Sequence, residues 1–364
     1  MPCIWTSILP AEKESHNLTN AIFRNGTAGN SHSAESESVN VLLLFLLLPI
    51  IVFAVLGNLL IIASVAHFRH LQTCTNAFIV SLATADFLVA VLVMPFSLAR
   101  SVDRWRFGKL FCTAHFMLDV VLCTASILNL SCVALDRYLA VCDPLRYAAR
   151  MSAERVAKLL LVSWLLPVLG FCLLVGVDLC WQSRKGVLRG QGAEVCLPEL
   201  RAPYATVASI LSFFIPMAFM IATYGRIFLE AQRQARQIQA AEAQVGQRHR
   251  DWSPSGSRKE GKATRTLGIL LGAFLLCWLP FFTVNVGHPF WGCPVSPGVL
   301  ECVLWLGYAN SALNPLLYAF INRAFRRAFA VLLGCGILGR QLQGGRLDAG
   351  VSQQTGPELG TVTR

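Results

Sequence analysis

Charge is scarce in this chain of 364 residues: Asp, Glu, Lys and Arg make up 14 % of it, where soluble chains average about 25 %. Acids are scarcer than bases, 20 against 31. Hydrophobic residues supply 55 % and mean hydropathy is +0.55, which excludes an ordinary soluble globular protein. Ten-residue segments of alternating polar and apolar residues are missing, which removes a transmembrane β-barrel. Lys262 is the last lysine, so the final apolar run cannot hold a retinal Schiff base. The internal repeats with paired broken helices that mark many transporters are absent, as are enzyme motifs. The string GCGILG at 334–339 fits GxGxxG but follows no strand and opens no βαβ unit, so it carries no dinucleotide reading.

Apolar length is what the chain does have. Seven stretches can cross a membrane, at about 41–66, 76–99, 110–141, 156–178, 204–229, 266–287 and 297–320. In lipid the backbone must satisfy its own polar groups, so each should be a helix. The expected fold is an all-α membrane protein: an outer tail at 1–40, a seven-transmembrane helix bundle at 41–320, a short amphipathic eighth helix at 321–335 and a cytoplasmic tail at 336–364. About two-thirds of the lysines and arginines fall on the side that holds the C-terminal tail, so the N-terminus is expected outside the cell and the C-terminus inside. No cleavable signal peptide is expected, because residues 1–10 are only weakly apolar. With this topology Asn17 and Asn25 head two glycosylation acceptors, Asn17-Leu18-Thr19 and Asn25-Gly26-Thr27. The net charge of +11 then reflects membrane topology, with no nucleic-acid partner. Cys335, ending the basic amphipathic stretch, is a palmitoylation candidate against the inner membrane lipid.

The third span, KLFCTAHFMLDVVLCTASILNLSCVALDRYLAV from Lys109 to Val141, organises the rest. It carries Asp119 inside and Asp136-Arg137-Tyr138 at its inner end. Eighteen helical residues separate Asp119 from Arg137, about 27 Å and five whole turns, so both side chains point the same way at opposite membrane faces. An ionisable group within a span is costly unless it meets a cavity, water or a partner. Asp119 is therefore a candidate site residue, the alternative being a structural acid bonded between helices. Asp136-Arg137 could equally be an ordinary interfacial ion pair.

Other spans repeat the pattern. The second carries Asp86 and, near its outer end, Pro95, which should kink the helix. The fifth carries Ser209, Ser212 and Phe213, then Pro216 and Tyr224; Ser209 and Ser212 share a face if the helix is regular. Each hydroxyl could instead bond back to its own helix carbonyl. In the sixth, Phe274, Trp278 and Phe281 form one stripe beside Pro280, either core packing or a hinge, with Phe282 and Asn285 following. Glu260 lies on the same face as Trp278, five turns away. The seventh carries Trp305, Tyr308, Asn310, Ser311 and Asn314-Pro315, then Tyr318. Glu301, Trp305 and Tyr308 also share a face, although Glu301 could simply be a solvated acid at a helix N-terminus. Among the outer cysteines Cys196 is the expected partner of Cys112, since that bridge would tie the loop over a cavity beneath. Cys3, Cys180 and Cys293 allow at most one further bridge.

Taken together, these residues resemble the rhodopsin-like G-protein-coupled receptors over about 300 residues. The markers stand in order: Asn58, Asp86, the Asp136-Arg137-Tyr138 triplet, Trp164, Pro216, Cys277-Trp278-Leu279-Pro280 and Asn314-Pro315 with Tyr318. Within that family the chain is similar to biogenic-amine receptors, and most similar to the trace amine-associated group, through HLQTCTN, RSVDRWRFGKLFC and CDPLRYAARM.

The resemblance implies a cell-surface receptor in the plasma membrane, without enzymatic activity or cofactor, activated by a small protonated amine. Asp119 matches the amine-binding acid, flanked by Trp305 and Tyr308. The remaining ligand contacts would be Val120, Cys123, Ser209, Ser212, Phe213, Trp278, Phe281, Phe282 and Asn285. An aromatic monoamine is favoured; a di- or polyamine would need Glu301 or a loop acid, Glu194 or Glu199. A serotonin, dopamine or octopamine type is the alternative, with a transporter or channel more remote. Signalling would pull Glu260 from Arg137 as the sixth helix rotates about Pro280, with Tyr224 and Tyr318 steadying the freed Arg137. The expected partners are a heterotrimeric G protein of the stimulatory type and arrestin. Asp86 with Ser126, Asn310, Ser311 and Asn314 could hold an allosteric sodium ion.

Overall fold

The computed structural model describes residues 29–102, 105–184, 202–245, 257–287, 290 and 295–334. Among them there is no β-strand, and eight long or amphipathic helices account for the architecture. They are α1 (Gly29–His67), α2 (Cys74–Val102), α3 (Gly108–Cys142) and α4 (Ala153–Arg184). Next comes α5, which runs from Ala202–Ser209 through a π-turn at Ile210–Phe214 into Ile215–Val245. It is followed by α6 (Ser257–Gly287), α7 (Pro297–Ile321) and α8 (Arg323–Leu332). α3 sits centrally, packing on α2, α4 and α5, while α5, α6, α7 and α1 follow one another around the bundle. α1 begins at Gly29, so its first turns lie in the segment read as a polar tail.

Five stretches are long and apolar enough to cross a membrane by themselves, Asn40–His67, Cys74–Val102, Leu110–Cys142, Ala153–Leu174 and Pro203–Gln237; α6 adds the shorter apolar Leu271–Gly287. α7 has the length, 25 residues, but carries Asn310, Ser311 and Asn314 in its middle. All three are buried, so their polar groups lie inside the bundle and not against lipid.

Two π-turns re-aim the helices that flank the site. Val89–Val93 in α2 stands just ahead of Pro95, and Ile210–Phe214 in α5 just ahead of Pro216. A proline has no N–H to bond four residues back, and a one-turn widening of the helix ahead of it absorbs the mismatch. Within the π-turn of α2 the Val93 carbonyl accepts from His115 Nε2 on α3 at 3.1 Å. At the start of α3, Gly108 adopts φ +76°, and its carbonyl accepts from Trp105 Nε1 at 2.9 Å. Only glycine takes that φ at little cost.

The buried apolar residues form two clusters. One gathers Leu122, Phe213, Phe274, Trp278, Phe282, Trp305 and Tyr308 around the Asp119 half of the bundle. The other gathers Ile61, Phe78, Leu139, Val156, Tyr318, Phe325 and Phe329 around the Arg137 half. α8 belongs to the second: Phe325, Ala328 and Phe329 are buried while Arg323, Arg326 and Arg327 are exposed. Asn322 separates α7 from α8 in an extended conformation, and its Oδ1 accepts from Ala324 N at 3.0 Å, capping the new helix. α1 and α7 meet at Gly57, where a Cβ would lie 2.7 Å from the Pro315 ring.

Candidate functional site

Asp119 is half-buried on the middle of α3. Its Oδ2 accepts from the Tyr308 hydroxyl on α7 at 2.6 Å, and its Oδ1 from the Cys123 thiol one turn on at 3.2 Å. A carboxylate offers about four lone-pair directions, so two donors leave room for an ammonium. Tyr308 is itself steadied: its oxygen lies 3.2 Å from Ser97 Oγ on α2, which lies 3.5 Å from His115 Nε2. Ser97 and His115 were not singled out from sequence; each is a polar residue in an apolar run, which is the signal that could have found them. Trp305 packs edge-on against Tyr308, centroids 5.4 Å apart.

A group of aromatic rings packs in the same cluster as Tyr308, the partner of this acid. Trp278 contacts Phe281 and Phe282 at 6.0 and 5.8 Å between centroids, and Phe282 stacks on Phe213 of α5 at 4.2 Å, nearly parallel. Trp278 lies flat against α7 because residue 307 is glycine; a Cβ there would fall 2.7 Å from the indole. On the α5 side Ser209 Oγ donates to its own helix at Ala205 O, 2.8 Å, and accepts from Asn285 Nδ2 at 2.8 Å. The π-turn starts at the next residue, so Ser212 does not stack over Ser209 as regular i, i+3 spacing would have it. Ser212 and Val120 are half-buried.

Glu301 is engaged on both oxygens. Arg100 Nε on α2 pairs with Oε1 at 3.1 Å, and Ser101 Oγ donates to Oε2 at 2.9 Å. Ser101 in turn accepts from Trp305 Nε1 at 3.2 Å. Neither Arg100 nor Ser101 was marked by the sequence. The other two acids considered for a second ammonium, Glu194 and Glu199, lie outside the described residues.

Deeper in the bundle Asp86 is fully buried. Its Oδ1 accepts from Ser126 Oγ at 2.8 Å and Ser311 Oγ at 2.9 Å, and its Oδ2 from Asn314 Nδ2 at 2.7 Å. Asn310 is buried one residue earlier but makes none of these bonds. Asn58 Nδ2 on α1 donates to Ala54 O and Ser311 O at 2.8 and 2.9 Å, tying α1 to the same turn of α7. One carboxylate, two hydroxyls and an amide form an all-oxygen donor set if the amide turns its oxygen inward, which suits a hard cation such as sodium.

At the far end of α3, Arg137 pairs with its neighbour Asp136, with Nε 2.9 Å from Oδ2 and Nη2 closer still. Nη2 also donates to Thr75 Oγ1 on α2 at 2.8 Å. Asp136 is fully buried and takes a further bond from Tyr147 OH at 2.8 Å, while Thr75 Oγ1 lies 3.3 Å from Asp136 Oδ1 and 3.1 Å from Tyr147 OH. Burial, joined by the adjacent Asp136 carboxylate, pushes the Tyr147 hydroxyl above its ordinary pKa and keeps it a donor. Thr75 and Tyr147 are additions to the sequence reading. Tyr138 is half-buried at the same end. Tyr318 is buried and Tyr224 half-buried, and the hydroxyl of each is buried with no hydrogen-bond partner among the described residues. Glu260 lies within α6, but its side chain is outside the described residues, as are Cys196, Asn17, Asn25 and Cys335. Cys112 is disulfide-bonded.

Comparison with known proteins agrees with this layout. Residues 57–318 match the family described as 7 transmembrane receptor (rhodopsin family). The chain is 39 % identical over 321 residues to the Mus musculus "Trace amine-associated receptor 1", covering 87 % of this chain and 94 % of that one. It is 40 % identical over 315 residues to the Cavia porcellus "5-hydroxytryptamine receptor 4", covering 81 % and 80 %. It is also 40 % identical over 333 residues to the Homo sapiens "Histamine H2 receptor", covering 90 % and 89 %.

Proposed function

The chain belongs to the rhodopsin family of seven-transmembrane receptors, and we propose that it is a plasma-membrane receptor for a protonated aromatic monoamine of the trace-amine type. It is a receptor, not an enzyme. The observation that carries the ligand reading is Asp119, a carboxylate with two donors and lone pairs to spare, bonded to Tyr308, which shares a cluster with Trp278, Phe281 and Phe282. A cation held there gains a charge-assisted bond and aromatic faces together. Apolar contact with the ring wall supplies most of the affinity, and Asp119 fixes charge and orientation. The Ser209–Asn285 pair suits a polar substituent on the far side of the ligand. The names of the relatives, trace amine, serotonin and histamine receptors, all point to small amines.

The amino end lies outside the cell and the tail inside, on the Lys and Arg count, with Asn17 and Asn25 glycosylated, Cys112 bridged to Cys196 and Cys335 acylated. Ligand contact with Trp278 turns α6 about Pro280. Arg137 then leaves Asp136 and Glu260 and meets the unpaired hydroxyls of Tyr224 and Tyr318, opening a cleft for a G protein of the stimulatory type and later for arrestin. Removing Glu260 should raise basal signalling. Asp86, Ser126, Ser311 and Asn314, with Asn310 beside them, would hold sodium, whose charge favours the closed state.

Transfected cells given phenethylamine, tryptamine, histamine and serotonin, with cyclic AMP and calcium read together, test the reading. A response to at least one monoamine that Asp119→Ala removes at equal surface level supports it. Equal potency in that variant overturns it.

A further inference from the structure

The mouth of the site carries a charge pair that the amine reading does not use. Arg100, near the outer end of α2, and Glu301, in the second turn of α7, are 3.1 Å apart, and Ser101 takes the other Glu301 oxygen at 2.9 Å. Their side chains are only 17 % and 32 % exposed, so the pair is screened less than a surface bridge. It is wired into the site: Ser101 accepts from Trp305, Trp305 packs on Tyr308, and Tyr308 bonds Asp119.

Among the described residues of this network, the formal charges are two carboxylates, Asp119 and Glu301, and one guanidinium, Arg100. Glu301 is cancelled by Arg100, so one negative charge, Asp119, is left for a ligand. Without Arg100, Glu301 would be a second anion seven residues from Tyr308, about 10 Å along α7. An extended aliphatic diamine holding one ammonium on Asp119, the partner of Tyr308, would carry its second ammonium toward Glu301.

We propose that Arg100 sets the number of positive charges the receptor accepts: by occupying Glu301 it restricts the site to monocations, and its removal opens a second ammonium subsite there. Discrimination of this kind uses a repulsive element as well as an attractive one. A diamine entering the intact site must either leave its second ammonium unpaired beside Arg100 or break the Arg100–Glu301 bond.

The inference rests on the amine reading, and one experiment on the full-length receptor separates the two. Cells expressing wild type, Arg100→Met, Arg100→Lys and the double variant R100M/E301Q are given phenethylamine and cadaverine, with surface level measured by antibody. Arg100→Met is expected to respond to cadaverine at one-tenth or less of the concentration wild type needs, with phenethylamine potency within about threefold of wild type. The double variant loses that gain, and Arg100→Lys, which keeps the charge, stays selective for phenethylamine. An intact phenethylamine response with no cadaverine gain in Arg100→Met overturns the inference, as does a gain that survives Glu301→Gln or appears equally in Arg100→Lys. If Arg100→Met fails to reach the surface, Arg100→Gln makes the same test. A wild-type phenethylamine response that Asp119→Asn leaves unchanged overturns the amine reading itself, and this inference with it.

Discussion

Tyr308 and Asp119 are 189 residues apart in the chain and 2.6 Å apart in the fold, hydroxyl to carboxylate. The bond joins α7 to α3 across the site, so the acid that would hold a ligand cation also helps hold the bundle together. Under the proposed reading an arriving ammonium would compete with or join that hydroxyl, and either event would be felt by α7. Contact is passed on at Gly307, where Trp278 lies against the α7 backbone.

Asp119→Ala should therefore cost more than Tyr308→Phe. Truncating one partner of a buried charge pair costs about 2–5 kcal/mol, at least roughly 30-fold in potency. Losing a hydrogen bond to a charged group costs about 1.5–3 kcal/mol, and the ligand ammonium recovers part of it, so Tyr308→Phe should lose about tenfold. Dose–response curves at matched surface level check the order; a Tyr308→Phe loss as large as that of Asp119→Ala would contradict it.

Gly57→Ala should destabilise the receptor without touching the ligand. The new methyl would fall 2.7 Å from both Cβ and Cγ of Pro315, rigid ring atoms that cannot swing aside. Overpacking of this kind costs about 1–3 kcal/mol, enough to lower the melting midpoint of purified receptor by several degrees. An unchanged midpoint would mean that α1 moves away freely.

Residues that break an apolar run were legible in the sequence, because lipid makes each of them expensive. Asp119, Asp86, the Asn314 turn and the Asp136-Arg137 pair all stood out that way, and in the fold Asp119 bonds to Tyr308 and Asp86 to Asn314. Partnerships near the helix ends were not legible. Arg100 and Glu301 are 201 residues apart, and at a span end each reads as an ordinary solvated charge. The π-turns were missed for a different reason: Pro95 and Pro216 mark a defect but do not say whether the helix kinks or widens. That choice decides which way Ser212 points. Thr75 and Tyr147 were invisible because a threonine and a tyrosine beside a loop carry no cost that demands a partner.

Asp86→Asn should uncouple the receptor from sodium. The carboxylate is the one formal charge in its oxygen cluster, and an amide of the same size keeps part of the hydrogen bonding while removing that charge. In wild type, raising sodium at constant ionic strength should lower agonist affinity, and by linkage agonist should expel sodium to the same degree. The variant should show a flat response to sodium. Sodium dependence surviving in Asp86→Asn would place the ion elsewhere or nowhere.

Arg137 is restrained through its neighbour Asp136. Asp136 is the hub: it accepts from Arg137 Nε at 2.9 Å and from Tyr147 OH at 2.8 Å, and it is fully buried. Asp136→Asn keeps the shape but halves the accepting capacity and removes the charge. Arg137 is about one-third exposed, so solvent screens the pair and its loss is worth only about 1 kcal/mol. A shift of that size changes the ratio of active to inactive receptor about fivefold. Tyr147→Phe leaves the ion pair in place and removes only one of the donors to Asp136, so its effect should be smaller. Basal nucleotide exchange on a panel of purified G proteins, with receptor level fixed, should rank Asp136→Asn above Tyr147→Phe and both above wild type. If Tyr147→Phe raises basal exchange while Asp136→Asn does not, the restraint lies in the loop and not in the ion pair.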